Sequence, residues 1–231
     1  MKPGVAPLLA LLLALSASLA PPRAGAIDLR LPQGGGYALR VTSLKEARFR
    51  STIRQQYDFS CGSAAVATLL TYQYGIPVDE EEVFARMYAT GDQARIRAEG
   101  FSLLDMRRYL ASRGFQADGF QVPLDQLLAQ GLPAIVLVND RGYRHFVVVR
   151  GLRGGRVLVA DPARGSRAIG RQEFERIWGN RVLFVVHNRR ELASFNQPRD
   201  WNLAPAAPLE AGVQRQGLRD VVMSRRGPGD I

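Results

Sequence analysis

The chain of 231 residues has a single cysteine, Cys61, whose neighbours are suited to preparing a nucleophile. Small apolar residues follow it and no helix breaker occurs before Gly75, so we expect a largely buried helix that begins at or just before Cys61. Unpaired N–H groups and the helix dipole at that end favour negative charge, which predicts a thiol that ionises more easily than a free cysteine. The alternative is a buried, inert cysteine.

His145 and Asp161 are the residues best placed to work with such a thiol. His145 begins a predicted strand, 145–149, and Asp161 directly follows another, 156–160. Because strand side chains alternate between faces, pairing these strands through the glycine-rich turn 151–155 can put Asp161 beside His145. The sequence does not fix that register, so a structural histidine and a turn aspartate are the alternative. The second histidine, His187, is expected at the surface.

The elements that must position these residues change in kind along the chain. Asp79 with Glu82, and Ser102 with Asp105, have the spacing of helix-start capping boxes. Apolar runs in the second half indicate strands. Beyond the cysteine helix, the predicted helices are 80–89, 103–113 and 124–130, and the predicted strands are 134–138, 145–149, 156–160 and 181–187. Helices followed by antiparallel strands predict an α+β domain, with N-terminal helices packed on an antiparallel sheet.

The two ends of the chain differ from this central part. Residues 1–26 combine Lys2, an Ala- and Leu-rich run, and Ala24-Gly25-Ala26, which together predict a cleaved signal peptide. The run is short for a membrane-spanning helix, so we expect no stable membrane insertion after cleavage and a periplasmic location. We predict an extended N-terminal segment at 27–52, a globular domain at 53–188 and a C-terminal tail at 189–231.

Composition argues against several classes of function. The formal net charge is +10, but the arginines are scattered along the chain, which indicates a solvated basic surface rather than a nucleic-acid interface. A preference for acidic partners is compatible with this charge. One cysteine, two histidines and no HExxH or CxxC motif supply too few ligands for zinc, and no glycine-rich loop indicates a nucleotide. We therefore predict no metal and no cofactor.

Four short motifs, taken in order, resemble the bacteriocin-processing peptidase family. Gln55 lies six residues before Cys61-Gly62, and His145-Phe146-Val147 precedes Asp161-Pro162-Ala163. The stretches 74–78 and 100–104 match the same family, and the resemblance covers about 53–186. More narrowly, residues 54–74 and the predicted signal peptide are similar to periplasmic peptidase-like proteins of functional-amyloid operons.

The resemblance implies a papain-like cysteine peptidase that cleaves a polypeptide after small residues such as Gly-Gly. Cys61 would be the nucleophile, His145 the base and then the acid, and Asp161 the group that orients the imidazole. Gln55 would donate an N–H to the oxyanion. A resting thiolate–imidazolium pair would let Asp161→Asn keep more activity than Asp161→Ala.

Two other functions fit the same motifs. One is a peptidase fold that binds and escorts a substrate without cutting it, although an escort has no need of a nucleophile. The other is a different Cys-His-Asp acyl-transfer enzyme, such as a transglutaminase or a cell-wall amidase. The position of Gln55 favours the peptidase.

Overall fold

The structure is a computed structural model that describes residues 26–31, 35–40 and 43–202. The predicted signal peptide, apart from Ala26, lies outside the described residues. So does the predicted tail beyond residue 202.

The segment predicted to be extended contains a hairpin and a short helix. Strand β1 (Ala26–Leu31) pairs antiparallel with β2 (Gly35–Arg40), and the two form a sheet of their own. Helix α1 (Leu44–Arg48) follows. The segment 27–52 is therefore extended only in its first part.

Helices form most of the next part of the chain. They are α2 (Cys61–Thr68), which continues as a π-helical turn (Leu69–Gln73), α3 (Glu80–Thr90), α4 (Gln93–Glu99), α5 (Leu103–Ser112) and, after a strand, α6 (Asp125–Gln130). Ser102 and Asp105 form the predicted capping box at the start of α5. At the start of α3 the predicted capping box is incomplete. Asp79 caps the helix by accepting a hydrogen bond from the Glu81 N–H.

The second sheet has six strands, all antiparallel to their neighbours. They are β3 (Ala117–Phe120), β4 (Ala134–Asp140), β5 (Tyr143–Arg153), β6 (Arg156–Asp161), β7 (Gly165–Gly170) and, after helix α7 (Arg171–Ile177), β8 (Leu183–Val186). Their order across the sheet is β3-β8-β4-β5-β6-β7. Two short 3₁₀ turns, Arg190–Leu192 and Pro198–Trp201, come last among the described residues.

Helices cover both faces of this sheet. Alternate side chains of β5 point into two separate apolar clusters, as the period of a strand requires. Phe146 and Val148 belong to the cluster formed with α2, α3 and α5, whereas Val147 and Val149 belong to the cluster formed with α6 and α7. Every residue of α2 is buried, which agrees with its sequence of small and mostly apolar residues. The predicted α+β fold is confirmed.

The register between β5 and β6 settles the question that the sequence left open. Val148 pairs with Ala160, and the pairing shifts between Val149 and Gly151, where Arg150 is accommodated in a bulge. Continued by one residue, this register puts Asp161 opposite Val147 and diagonal to His145 on the same face, at the end of the hairpin away from its turn.

No helix of the described ranges is both long and apolar enough to cross a bilayer.

Candidate active site

Cys61 is the first residue of α2, and its position depends on the glycine that follows it. A Cβ atom at Gly62 would lie 2.8 Å from the Phe101 Cβ and 2.9 Å from the Met106 Cε. Only a residue without a side chain lets the start of α2 approach α5 and the turn before it so closely. The start of α2 is therefore packed tightly against this part of the chain.

Polar side chains hold the loop before α2. Ser60 accepts a hydrogen bond from the Tyr57 N–H at 3.1 Å, and Ser63 donates to the carboxyl of Glu80 at 2.7 Å. Glu80 is 2% exposed, and burial raises the pKa of its carboxyl. These contacts tie the start of α2 to the start of α3.

His145 and Asp161 form a fully buried pair. The His145 Nε2 lies 3.1 Å from the Asp161 Oδ2, and both side chains are 0% exposed. The Nδ1 atom of His145 is buried without a hydrogen-bond partner. Because Nε2 is engaged by the carboxylate, Nδ1 is the ring nitrogen available for proton transfer.

Asp161 is held at both oxygens. Its Oδ1 accepts hydrogen bonds from the backbone N–H groups of Ala163 at 2.9 Å and Arg164 at 3.2 Å. Burial acts to raise the pKa of Asp161, but the hydrogen bond and charge of His145, the charge of Arg167 and the Ala163 N–H together lower it. The residue is therefore an ionised carboxylate with a fixed orientation.

The sulfur of Cys61 is affected by two opposing influences. Burial, which is the larger, raises the pKa of the thiol, and the negative charge of Asp161 acts in the same direction. The backbone N–H groups of Phe146 and Gly62 lower it without reversing the result. The expectation of an easily ionised thiol is wrong for this structure, since the sequence shows the helix start but not the depth of burial.

The N–H of Phe146 also locates the histidine relative to the sulfur. Since that N–H interacts with Cys61, the preceding residue, His145, lies in the same neighbourhood as the thiol. Cys61, His145 and Phe146 all line one groove of about 880 Å³. The structure thus brings together three of the four residues selected from the sequence.

Gln55, the fourth residue, reaches this group through a tyrosine. The ring of Tyr143 stacks on the imidazole of His145 with centroids 4.7 Å apart. The Nε2 of Gln55 lies 3.5 Å from the Tyr143 hydroxyl and donates to the Tyr57 carbonyl at 3.1 Å. The Gln55 backbone N–H donates to the carbonyl of Pro162 at 3.1 Å, directly after Asp161.

The groove combines an apolar lining with charged side chains. Ile96, Phe101 and Leu137 contribute apolar surface, and the half-exposed Leu104 extends it. Arg108 and Arg144 also line the groove as exposed cations. Such a lining accommodates a polypeptide chain with apolar side chains.

Sequence reasoning missed Tyr143 and Arg167. Tyr143 precedes His145 by two positions in the same strand, and that spacing could have indicated a shared face. Arg167 lies in a strand whose Gly-Ser-Arg-Ala-Ile-Gly sequence has too few apolar residues to be recognised.

His187, expected at the surface, is 38% exposed and lies 2.9 Å from Asp118.

Within the described part of the chain, no group of three or more histidine, cysteine, aspartate or glutamate side chains could hold a metal ion. The site consists of a thiol, an imidazole, a carboxylate and an amide.

Comparison with known families agrees with this set of groups. The model of the "Peptidase C39 family" matches residues 50–190, which include all four residues. The chain belongs to the peptidase C39 family. It is a cysteine peptidase, and its substrate is a polypeptide.

Two relatives of this C39 peptidase match most of the chain. The "Probable functional amyloid protease FapD" of Pseudomonas aeruginosa is 44% identical over 156 residues, which is 68% of this chain and 69% of the relative. The protein of the same name from Pseudomonas fluorescens is 38% identical over 191 residues, 83% of this chain and 82% of the relative.

A solved structure is also similar. A double glycine motif protease from an AMS/PCAT transporter, crystallised with the leader peptide, is 26% identical with a TM-score of 0.48. The similarity covers 59% of this chain and 91% of that one.

Proposed function

We propose that this C39 peptidase cleaves an exported polypeptide of a functional-amyloid pathway after small residues such as Gly-Gly. Cys61 is the nucleophile, His145 the base and acid, Asp161 the orienting carboxylate and Gln55 an oxyanion donor. The observation that carries the proposal is the buried His145–Asp161 pair beside a cysteine at a helix start, in one groove.

The first half of the reaction uses the free nitrogen of His145. Nδ1 takes the proton from the Cys61 thiol as the sulfur attacks the carbonyl carbon of the scissile peptide. The negative oxygen that forms accepts N–H groups from Gln55 and from the Cys61 backbone. The Nε2–H donates to Asp161 throughout, so the carboxylate stabilises the imidazolium that forms.

The second half returns the proton. The imidazolium protonates the leaving amine as the C–N bond breaks, which leaves an acyl group on the sulfur. Water then attacks this thioester while Nδ1 accepts one of its protons, and the thiol is restored as the carboxylic acid leaves. The two halves sum to hydrolysis of one peptide bond.

The side-chain amide of Gln55 can donate a hydrogen bond to the substrate while it keeps its hydrogen bond to the Tyr57 carbonyl. One N–H of its amide is held by the Tyr57 carbonyl, whereas the contact with the Tyr143 hydroxyl is long, at 3.5 Å. The second N–H can therefore turn to a substrate oxygen. The Pro162 carbonyl keeps the Gln55 backbone next to the acid–base pair.

The finer parts of the proposal have separate support. The motifs shared with bacteriocin-processing peptidases support cleavage after Gly-Gly, and the names of the two Pseudomonas relatives support the amyloid pathway. The sequence of residues 1–26 supports export to the periplasm.

The experiment is to capture the natural substrate on Cys61→Ala in periplasmic extract and to sequence the ends that the unchanged protein produces. We expect a single cut after a small residue, absent with Cys61→Ala and His145→Ala. A partner that binds both forms and leaves the unchanged protein uncut would favour the escort. Intact mass of the exported protein tests removal of residues 1–26, and a mature chain that still carries Lys2 would contradict the predicted cleavage.

A further inference from the structure

The hydroxyl of Tyr143 lies beside the proposed oxyanion donor. Tyr143 is the first residue of β5, and its ring stacks on the imidazole of His145 with the two planes 26° apart. The hydroxyl at the far end of that ring is 3.5 Å from the Gln55 Nε2. One side chain therefore reaches from the proposed base to the proposed oxyanion donor.

This hydroxyl has a hydrogen to donate. In the contact with Gln55 the tyrosine oxygen is the acceptor, because an amide nitrogen of glutamine can only donate. Within residues 43–202 and the two strands before them, the Tyr143 hydroxyl hydrogen has no acceptor. The side chain is also partly exposed, so a substrate atom can approach it.

The two donors have a separation at which they can share one oxygen. A hydrogen bond to oxygen is about 2.9 Å long from an amide nitrogen and about 2.7 Å long from a hydroxyl. Since the Gln55 Nε2 and the Tyr143 oxygen are 3.5 Å apart, a single oxygen atom can lie at both distances at once. A substrate oxygen that accepts from Gln55 is thus within reach of Tyr143.

We propose that the Tyr143 hydroxyl is a second side-chain donor to the oxyanion, and hence a further catalytic residue of this peptidase. The proposal rests on the proposed roles of Cys61 and Gln55. No motif that carried the family resemblance contains Tyr143.

The hydroxyl acts on charge and transfers no proton. As the Cys61 sulfur bonds to the carbonyl carbon, the π electrons of the C=O bond move to the oxygen. The Tyr143 O–H donates a hydrogen bond to that oxygen and keeps its own proton. When the C–N bond breaks, the C=O bond re-forms and the hydrogen bond weakens. Because the bond is strongest while the oxygen is charged, it stabilises the transition state more than the bound substrate.

The stack on His145 gives this donor a fixed position. Tyr143 and His145 are two positions apart in β5, so their side chains leave the strand on one face. Their rings lie nearly parallel with centroids 4.7 Å apart. A donor that is already oriented before the reaction costs no reorganisation when the charge develops.

The test is steady-state cleavage of a Gly-Gly peptide by the full chain with Tyr143→Phe, which keeps the ring and removes only the hydroxyl. We expect kcat to fall about 10²-fold, as for loss of one oxyanion donor, with little change in KM. Alkylation of Cys61 by iodoacetamide should keep its rate, because it forms no oxyanion. The matched control is Tyr72→Phe, in the π-helical turn beyond the other end of α2, and its kcat should not change.

A second comparison separates a donor from a mere support for Gln55. If the hydroxyl acted only by holding the Gln55 amide, its removal from Gln55→Ala would cost nothing further. A donor in its own right still contributes in that variant. We therefore expect the double variant Gln55→Ala/Tyr143→Phe to be at least about tenfold slower than Gln55→Ala in single-turnover cleavage.

An unchanged kcat in folded Tyr143→Phe would overturn the proposal, and so would equal rates of the double variant and Gln55→Ala. A fall in kcat together with slower alkylation would also overturn it, since the hydroxyl would then support the thiol or the imidazole. Circular dichroism checks the fold of each variant. A failure of Cys61→Ala to abolish cleavage would refute the proposed function instead.

Discussion

Burial and hydrogen bonding act on the Cys61 sulfur in opposite directions, and burial is the larger influence. We therefore expect the folded protein to react slowly with iodoacetamide at mildly acidic and neutral pH. The same chain in denaturant is the control, because its thiol titrates near the free-cysteine value of about 8.5. The alkylation midpoint of the folded protein should lie above that of the denatured chain. A lower midpoint would restore the thiolate–imidazolium pair expected from the sequence.

Asp161 gives a second prediction, which reverses the one made from sequence. Two backbone N–H groups hold Oδ1, so in Asp161→Asn the amide oxygen should occupy that position. The amide NH₂ then faces the His145 Nε2 and stabilises the tautomer that carries its proton on Nδ1. That tautomer cannot accept the thiol proton, and the equivalent loss in a serine triad is roughly 10⁴-fold in kcat.

We therefore expect folded Asp161→Asn to be no more active than Asp161→Ala in steady-state cleavage of a Gly-Gly peptide. Circular dichroism serves as the control for folding. Substantially higher activity of the asparagine variant would mean that His145 carries protons on both nitrogens at rest.

Gln55 and its neighbour allow a matched test of the oxyanion role. Loss of one side-chain donor typically costs about 10²- to 10³-fold in kcat, so Gln55→Ala should lose that much with little change in Cys61 alkylation. Gln56→Ala, at an exposed position, is the control and should differ little from the unchanged protein. Equal losses in the two variants would show that the donor is misassigned.

Among the elements, the start of α2 is the most sensitive to a small change. In Gly62→Ala the new methyl would meet the Cβ of Phe101, which cannot move away as the end of a flexible side chain could. Overpacking of this kind costs about 1–3 kcal/mol, and denaturant unfolding should show it. Gly179→Ala, where nothing lies within 4 Å of the added carbon, is the control. Equal stability of the two variants would contradict the close approach of α2 and α5.

The elements that the sequence predicted are those with their own local signal. Helix α5 has its capping box, and β4 to β6 have apolar runs. The alternation of side chains along β5 and β6 allowed His145 and Asp161 to be placed on one face of the sheet. Helices α4 and α7 escaped prediction because each buries only one residue, Ile96 and Phe174 respectively. Strand β7 also escaped prediction. It is stabilised by pairing with β6, and that pairing leaves no pattern in the sequence of β7 itself.

At the scale of the whole molecule, Arg150 joins the chain before the active-site loop to the sheet. Its guanidinium is 0% exposed. It donates to the carbonyl and hydroxyl of Ser51 and to the hydroxyl of Ser166, at 2.8–2.9 Å. Arg150→Ala removes these three hydrogen bonds and opens a cavity, so we expect about 3 kcal/mol less stability toward unfolding.

The control for Arg150 is three residues further along the same strand. Arg153 is exposed and lies 5.1 Å from the Trp201 ring, a contact worth less than about 1 kcal/mol. Thermal and denaturant unfolding of both alanine variants make the comparison. If Arg153→Ala proved as costly as Arg150→Ala, the buried guanidinium would have no special structural role.

The contact between Gln55 and Tyr143 joins residues 88 positions apart, and it has a consequence for biosynthesis. Ribosomes add about 5–20 residues per second, so Tyr143 and His145 leave the ribosome several seconds after Gln55 and Cys61. During that interval the nascent chain carries an ordinary thiol with no base beside it. With His145 as the proposed base, we expect no cleavage of a neighbouring nascent polypeptide, or of the chain itself, until translation has delivered the β5–β6 hairpin.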